Sequence, residues 1–334
     1  MRSLYQPFTK PQSPVIHEIA PQGAVSFYNE FFLYKEKSFS YFCLIMTEEN
    51  KQKQQILVPY DFSKATDNAL LCATELAGLF KCEICLFHTI NKKISKFYSG
   101  EKLSEEVVRK KLTIIAMNII ETHNIQTNVY FFKEEVDKVI NKIYEQINAI
   151  AVVFGINAKK KPYHYFTPGD ISTDYRNLRI PIITVHDELN NKSFFNNIIL
   201  TLDFNRESKE KSAWAGHIST LNNTKITILT RHYNDSYFAA ALRSNMALVK
   251  KLYDNLGVVY EIKNEPDIKC DIDKYAVDYA FYNKGEMLVV MATKEIAIDD
   301  LLFGLKEKKI INNKYKLPVM LINPRDDLYL PCGC

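Results

Sequence analysis

Short apolar runs alternate with amphipathic stretches along most of the chain, which is the pattern of a parallel sheet covered by helices. Five strands are predicted in the first half by apolar runs at 56–58, 83–90, 127–131, 149–154 and 182–185. One long helix between the second and third strands is predicted by apolar residues spaced four, three and four apart, Val108, Leu112, Ile115 and Ile119. These elements predict a doubly wound α/β domain.

The same order of elements recurs in the second half of the chain. Ile56-Leu-Val-Pro-Tyr-Asp-Phe-Ser is repeated as Ile198-Ile-Leu-Thr-Leu-Asp-Phe-Asn, which places Asp203 142 residues after Asp61. Strands are predicted at 197–202, 225–230, 258–262, 287–291 and 319–322, and the longest helix is expected to stop at Gly257, a natural left-handed cap. We therefore predict an extension, 1–45, followed by a first repeat, 46–190, and a second repeat, 191–334.

The first 45 residues differ from the rest because they are rich in aromatic residues and show no helix or strand periodicity. Lys35, Glu36 and Lys37 interrupt the apolar stretch that a signal peptide would need. Met46 begins a polar segment typical of a cytosolic N-terminus, and an aromatic docking arm is the functional alternative for 1–45. No run of about 18 apolar residues occurs, so no transmembrane helix is predicted.

Composition excludes several classes of protein. The chain of 334 residues is 47% hydrophobic and 25% charged, as in ordinary globular proteins, and the near balance of 43 basic against 39 acidic residues gives no argument for a nucleic-acid-binding surface. Seven cysteines, an odd number in a long chain, favour buried thiols in a reducing cytoplasm. A zinc site that joins Cys82 and Cys85 to Cys332 and Cys334 is disfavoured, because a spacing of three on a strand directs the first two side chains to opposite faces.

Three segments of the first repeat resemble the opening half of a universal stress protein domain. They are the segment around Asp61 given above, Asn68-Ala-Leu-Leu-Cys-Ala-Thr-Glu-Leu-Ala, and Leu86-Phe-His-Thr-Ile. The second repeat is similar but more divergent, with Thr201 where the first has Pro59. The resemblance covers 46–190 and 191–325, and implies a tandem pseudo-dimer of two five-stranded parallel sheets. It also implies the strand order 3-2-1-4-5, pairing through the last strands, and a cytoplasmic location.

The resemblance further implies a site for ATP or AMP where the strand order reverses, with Asp61 at the nucleoside. The phosphate loop of that family has glycine, two residues, glycine, nine residues, glycine, then serine or threonine. Here Gly155 stands at the first glycine and Ala158 at the second, while Gly169-Asp170 comes one residue late. Lys160, in a run of three lysines, is a further candidate for phosphate contact. These residues are the predicted cofactor site of the first repeat.

The second repeat lacks most of this loop, because Met291 and Lys294 occupy the first two glycine positions and only Gly304 remains. It is therefore not expected to bind a triphosphate. Other roles stay open for the first repeat: Asp61 as a tie for the following turn, the lysine run as solvated surface, and His88 as a hydrogen-bonded core residue.

No catalytic residue and no metal site is predicted. The expected function is a non-enzymatic stress-response module with a degenerate adenine-nucleotide site. The alternatives are an interaction protein of the same fold without a nucleotide, which would contact an unidentified protein partner or a second copy, or a nucleotide hydrolase.

Overall fold

The computed structural model describes residues 53–90, 104–157, 175, 178–189, 191–265, 271–292 and 306–324. Within these residues the strands form one ten-stranded sheet. The first repeat contributes β1 (Gln55–Pro59), α1 (Lys64–Phe80), β2 (Glu83–Thr89), α2 (Glu105–His123), β3 (Thr127–Phe132), α3 (Val136–Ile143), β4 (Ala149–Ile156) and β5 (Ile182–His186).

The second repeat contributes the same succession, with a short 3₁₀ turn at Arg206–Lys209 before its first α-helix. Its elements are β6 (Asn197–Thr201), α4 (Glu210–Asn222), β7 (Lys225–Arg231), α5 (Ser236–Leu256), β8 (Tyr260–Glu265), α6 (Ile272–Tyr282), β9 (Met287–Met291), α7 (Lys306–Ile311) and β10 (Val319–Ile322).

The strand order across the sheet is β3-β2-β1-β4-β5-β10-β9-β6-β7-β8. Each repeat therefore has the order 3-2-1-4-5 with parallel neighbours, and the repeats meet where β5 and β10 pair antiparallel, with Met320 opposite Ile183. This arrangement confirms the predicted α/β class and the pairing through the last strands. The boundaries at 45/46 and 190/191 stay predictions.

Local sequence explains where several elements start and stop. Ser63 caps α1 by accepting a hydrogen bond from the backbone of Thr66, and α5 ends at Gly257, whose φ of 65° is left-handed. The predicted strand 258–262 instead lies at Tyr260–Glu265, because pairing with β7 continues through polar residues as far as Glu265. The apolar spacing of Val136, Val139, Ile140, Ile143, Tyr144 and Ile147 predicts a helix that reaches Ile147, but α3 ends at Ile143.

Helices and connecting chain join the two repeats. Phe80, at the end of α1, contacts the rings of Trp214 and His217 in α4 at centroid distances of 6.2 and 5.0 Å. Glu75 in α1 accepts from the backbone N–H of Phe194, 3.2 Å from each carboxylate oxygen. These contacts, together with the shared sheet, hold the repeats against each other.

Candidate functional site

A crevice is expected between β1 and β4, since the connections that leave these neighbouring parallel strands run in opposite directions. Residues at the carboxyl ends of the two strands therefore form the candidate site of the first repeat. On the β1 side they are Asp61 and Ser63, and on the β4 side they are Gly155 and Asn157. The structure thus brings together two of the predicted site residues, Asp61 and Gly155.

Asp61 ties the turn that joins β1 to α1. Its Oδ1 accepts from the backbone N–H of Ser63 at 2.9 Å and from the Thr66 hydroxyl at 3.0 Å. The residue is 3% exposed. Asp61 therefore holds the turn, which was one of the two roles that the sequence left open. A ligand that contacts this carboxylate has to do so while these hydrogen bonds are kept.

The tied turn contains a strained residue. Phe62 has φ of 62°, in the left-handed region that costs a non-glycine residue about 1–2 kcal/mol. Its counterpart Phe204 is not among the described residues with positive φ. The hydrogen bonds that Asp61 accepts from Ser63, just before α1, and from Thr66, in its first turn, hold this conformation. Strain of this kind concentrates at ligand sites, so it marks the first repeat rather than the second.

Gly155 brings β4 against the first turn of α1. A Cβ at this position would lie 2.4 Å from the carbonyl carbon of Ala65 and from the backbone nitrogen of Thr66. The glycine is therefore required by packing alone.

Asn157, which the sequence analysis did not single out, follows β4 and reaches across the crevice. Its Nδ2 donates to Oγ of Ser63 at 3.4 Å, a long hydrogen bond between two buried residues. It lies two residues after Gly155, in the loop that the family resemblance already marked. Its position at the start of that loop was the only feature of the sequence that could have marked Asn157 as a site residue.

Aromatic and imidazole rings line the ends of β1 to β3. The ring of Phe62 lies 5.2 Å from that of Tyr60 and 5.3 Å from that of His88. His88 donates from Nδ1 to the carbonyl oxygen of Tyr60 at 2.6 Å, and burial lowers its pKa to about 4. The expectation of a hydrogen-bonded core histidine is confirmed. Tyr60 in turn donates to the carboxylate of Asp67.

The other predicted site residues, Ala158, Lys160, Gly169 and Asp170, lie outside the described residues. Their proposed phosphate contacts stay predictions.

The corresponding place in the second repeat holds a group of charges. This group, which we call the charge cluster, consists of the side chains of Lys211, Asp271, Asp273 and Lys306 and the hydroxyl of Thr201. Lys211 donates to Thr201 at 2.7 Å, and Thr201 donates to Oδ1 of Asp273 at 2.5 Å. Lys306 lies 2.7 Å from Oδ2 of Asp273 and 2.8 Å from Oδ2 of Asp271.

Burial and charge act in opposite directions on these groups. Burial lowers the pKa of Lys211, and the nearby Asp273 partly offsets that effect. Burial alone would raise the pKa of Asp273, but Lys211 and Lys306 outweigh it, so the pKa is lowered. Sequence analysis missed this cluster because lysine is expected in solvent. The one available indication was that Lys211 shares a helix face with Ala215 and Ile218.

Asp203, the counterpart of Asp61, lies half-buried beside the cluster. Its carboxylate accepts from the backbone and the side-chain amide of Asn205, each at 2.9 Å. It therefore ties a turn, as Asp61 does in the first repeat.

The described part of the chain holds neither of two further kinds of site. No group of three or more His, Cys, Asp or Glu side chains there is arranged to hold a metal ion. None of the helices described combines the length and apolar character that a bilayer-spanning segment requires.

Solved structures identify the fold. A universal stress protein from Archaeoglobus fulgidus matches 80% of this chain and 98% of its own length, with 15% identity and a TM-score of 0.62. A functionally unknown protein from Pseudomonas aeruginosa matches 83% of this chain and 94% of its own, with 12% identity and a TM-score of 0.52. No protein-family model and no curated protein matches the sequence. The chain has the universal stress protein fold, repeated in tandem.

Proposed function

We propose that the chain is a tandem universal stress protein that serves as a non-enzymatic stress-response module, with one adenine-nucleotide site in its first repeat. ATP and AMP are the proposed ligands. The observation that carries the proposal is the difference between the two crevices. The first combines Asp61, Ser63 and Asn157 with a strained turn, whereas the second contains its own ion pairs.

In this proposal Asp61 accepts a hydrogen bond from the nucleoside through its carboxylate. Ser63 and Asn157 donate to phosphate oxygens, which replace the long bond between their side chains. Gly155 and the loop with Ala158, Lys160, Gly169 and Asp170 complete the site. The lysine supplies a positive charge where Ala158 stands in place of a glycine.

Copurification tests this proposal first. The purified protein is denatured and the released small molecules are separated by chromatography, and fresh ATP is then titrated calorimetrically. We expect ATP or AMP in the extract, or heat of binding below ~1 mM ATP. An empty extract together with no heat at that concentration would show that the proposal is wrong.

Matched substitutions then place the site. Asp61→Asn removes the charge but keeps a side-chain oxygen that can accept from Ser63 and Thr66. We therefore expect a protein that still folds and binds ATP more weakly. Asp203→Asn makes the same change in the second repeat and is expected to leave binding unchanged. The reverse pattern would place the site in the second repeat.

An interaction protein with no nucleotide ligand is the second candidate. It is favoured by the structural roles that Asp61 and Gly155 already have, since neither needs a ligand to account for it. Recovery of a stable protein partner from cells, together with an empty extract and no ATP heat, would support it. Recovery of a second copy of the chain as that partner would indicate a homodimer.

We propose no catalytic residue. His88 and His186 each donate to a backbone carbonyl, of Tyr60 and Ile311 respectively, rather than to a nucleophile. Phosphate release from ATP that depends on a single side chain would instead favour a hydrolase. A cytoplasmic location is supported by Cys72, Cys82 and Cys85, which are buried free thiols.

A further inference from the structure

The charge cluster lies at the crevice of the second repeat. Thr201 is the last residue of β6, which neighbours β9 as β1 neighbours β4. Because β-α-β crossovers are right-handed, α4 and α6, which lead in opposite directions across the sheet, lie on opposite faces. The chain of contacts from Lys211 in α4 through Thr201 to Asp273 in α6 therefore crosses the carboxyl end of the sheet at the point where the strand order reverses.

Burial makes the pairing of these charges obligatory. Lys211 is 3% exposed and Asp273 is 6% exposed. A charge removed from water to this extent is stable in a fold only with a partner of opposite sign and satisfied hydrogen bonds. Lys306 pairs with Oδ2 of Asp273, the Thr201 hydroxyl donates to Oδ1, and Lys211 reaches this carboxylate through the same hydroxyl.

The cluster balances its own charge. Two lysine ammonium groups face two aspartate carboxylates, and Asp271 also fixes the start of α6 by accepting from the backbone N–H of Asp273 at 2.9 Å. An anionic ligand that enters this crevice would have to displace Asp273 from Lys306 and from the Thr201 hydroxyl that Lys211 also contacts. The first repeat has no such arrangement at the matching position of its helix, where Ala69 is buried in place of Lys211.

We propose that Asp273 is a built-in anion that occupies the second crevice in place of a ligand, where it pairs with Lys306 directly and with Lys211 through the Thr201 hydroxyl. The second repeat is thereby held closed without a ligand, and its two helical layers are joined by the protein's own charges. This inference does not depend on nucleotide binding by the first repeat.

Removal of the carboxylate and replacement by a free anion test the proposal. Asp273→Asn leaves the buried Lys211 without its nearest anion and Lys306 with Asp271 alone, and we expect its midpoint of thermal unfolding to fall by about 5 °C or more. Inorganic phosphate, compared with chloride at equal ionic strength, is expected to raise the midpoint of this variant more than that of the unmodified protein. Unchanged stability of the variant, or a phosphate response equal to that of the unmodified protein, would overturn the proposal.

Asp278→Asn is the matched control on the same helix, because Asp278 pairs with Lys314 at 2.9 Å on the surface. Exposed pairs contribute little, so neither its stability nor its phosphate response should change appreciably.

A double variant decides the case if Asp273→Asn does not fold. Lys211→Met with Asp273→Leu removes both buried charges, and Asp271 still pairs with Lys306. We expect a folded protein with no extra phosphate response, since a buried ion pair can be replaced by apolar residues at little cost. A double variant that is as unfolded as the single one would contradict the proposed role. ATP binding by the unmodified protein is measured separately by calorimetry. Failure of the nucleotide proposal can therefore be distinguished from failure of the proposal about Asp273.

Discussion

Gly155 in β4 lies against Ala65 in the first turn of α1, so closely that a Cβ on the glycine would stand 2.4 Å from the carbonyl carbon of Ala65. Backbone packs directly on backbone at this point. The contact sets the spacing between the strand and the helix that flank the crevice of the first repeat. It explains why this glycine is present in a chain that has only ten.

A side chain at this position should therefore be costly. We expect Gly155→Ala to lower the free energy of unfolding by about 3 kcal/mol, because the backbone of α1 must move to admit the methyl group. Urea unfolding measures the change.

Gly78→Ala is the control, since Gly78 lies in α1 with the nearest atom to an added Cβ at 3.9 Å. In an exposed helix position alanine is favoured, by about 0.5–1 kcal/mol. Equal effects of the two substitutions would mean that the close contact does not exist.

Phe80 joins the repeats through its contacts with Trp214 and His217. We expect Phe80→Ala to destabilise the protein by about 2 kcal/mol, because a partly buried aromatic ring is lost from the seam, the contact between the two repeats. Trp214 is the only tryptophan of the chain, so its fluorescence should shift to longer wavelength in the folded variant.

Leu71→Ala provides the comparison for this prediction, because Leu71 lies on the same helix but is 53% exposed. Its tryptophan emission should match that of the unmodified protein. An unchanged spectrum in Phe80→Ala would place Trp214 away from the seam.

Buried histidines should make the fold sensitive to acid. Burial lowers the pKa of both His88 and His186 from 6.5 to about 4. Asp61 near His88 and Asp187 near His186 oppose this effect, and Lys316 adds to it at His186. The unfolded chain then binds protons that the folded chain excludes, so stability should fall as pH drops from about 6.5 to 4. The loss should be about 3 kcal/mol per histidine.

His186→Gln should reduce this acid-induced loss. Nε2 of His186 donates to the carbonyl oxygen of Ile311 across the seam at 2.8 Å, and Nδ1 has no hydrogen-bond partner among the described residues. A glutamine amide can donate to the same carbonyl without gaining a charge. Urea midpoints at pH 7 and pH 4.5 measure the effect, and an equal loss in both proteins would show that His186 is not responsible.

Thiol reactivity offers a further check on the core. Burial raises the pKa of Cys82 to about 12, and Cys72 and Cys85 are also buried, with raised pKa values. We expect these three thiols to resist a thiol-specific chromogenic reagent in the folded protein and to react in denaturant. Reaction of all seven cysteines under native conditions would contradict the described packing.

Much of the fold follows from periodicity along the chain. The predicted strands at 287–291 and 319–322 have the bounds of β9 and β10, because both are continuous buried apolar runs. The edge strand β8 was misplaced, since Lys263, Asn264 and Glu265 are held there by hydrogen bonding to β7 and not by apolar burial. Apolar spacing alone could not show that α3 ends before Ile147.

The charge cluster could not be predicted in the same way. Lys211 and Asp273 are 62 positions apart in sequence, and a lysine or aspartate by itself favours solvent. Both helices start at the carboxyl end of the parallel sheet, and the reversal of strand order places α4 and α6 on opposite faces beside β6, where Thr201 links the two side chains. The position of Asp61 after β1 could be predicted, because it follows an apolar strand in a recognisable repeated segment, and its contact with a nucleoside stays a prediction.

The number of ATP molecules bound per chain tests the central claim most directly. If the first crevice binds the nucleotide and Asp273 occupies the second, calorimetric titration of the unmodified protein, freed of any copurified nucleotide, gives a stoichiometry of one. Two equivalent sites would contradict the occupied second crevice. No binding at ~1 mM ATP would contradict the nucleotide site in the first.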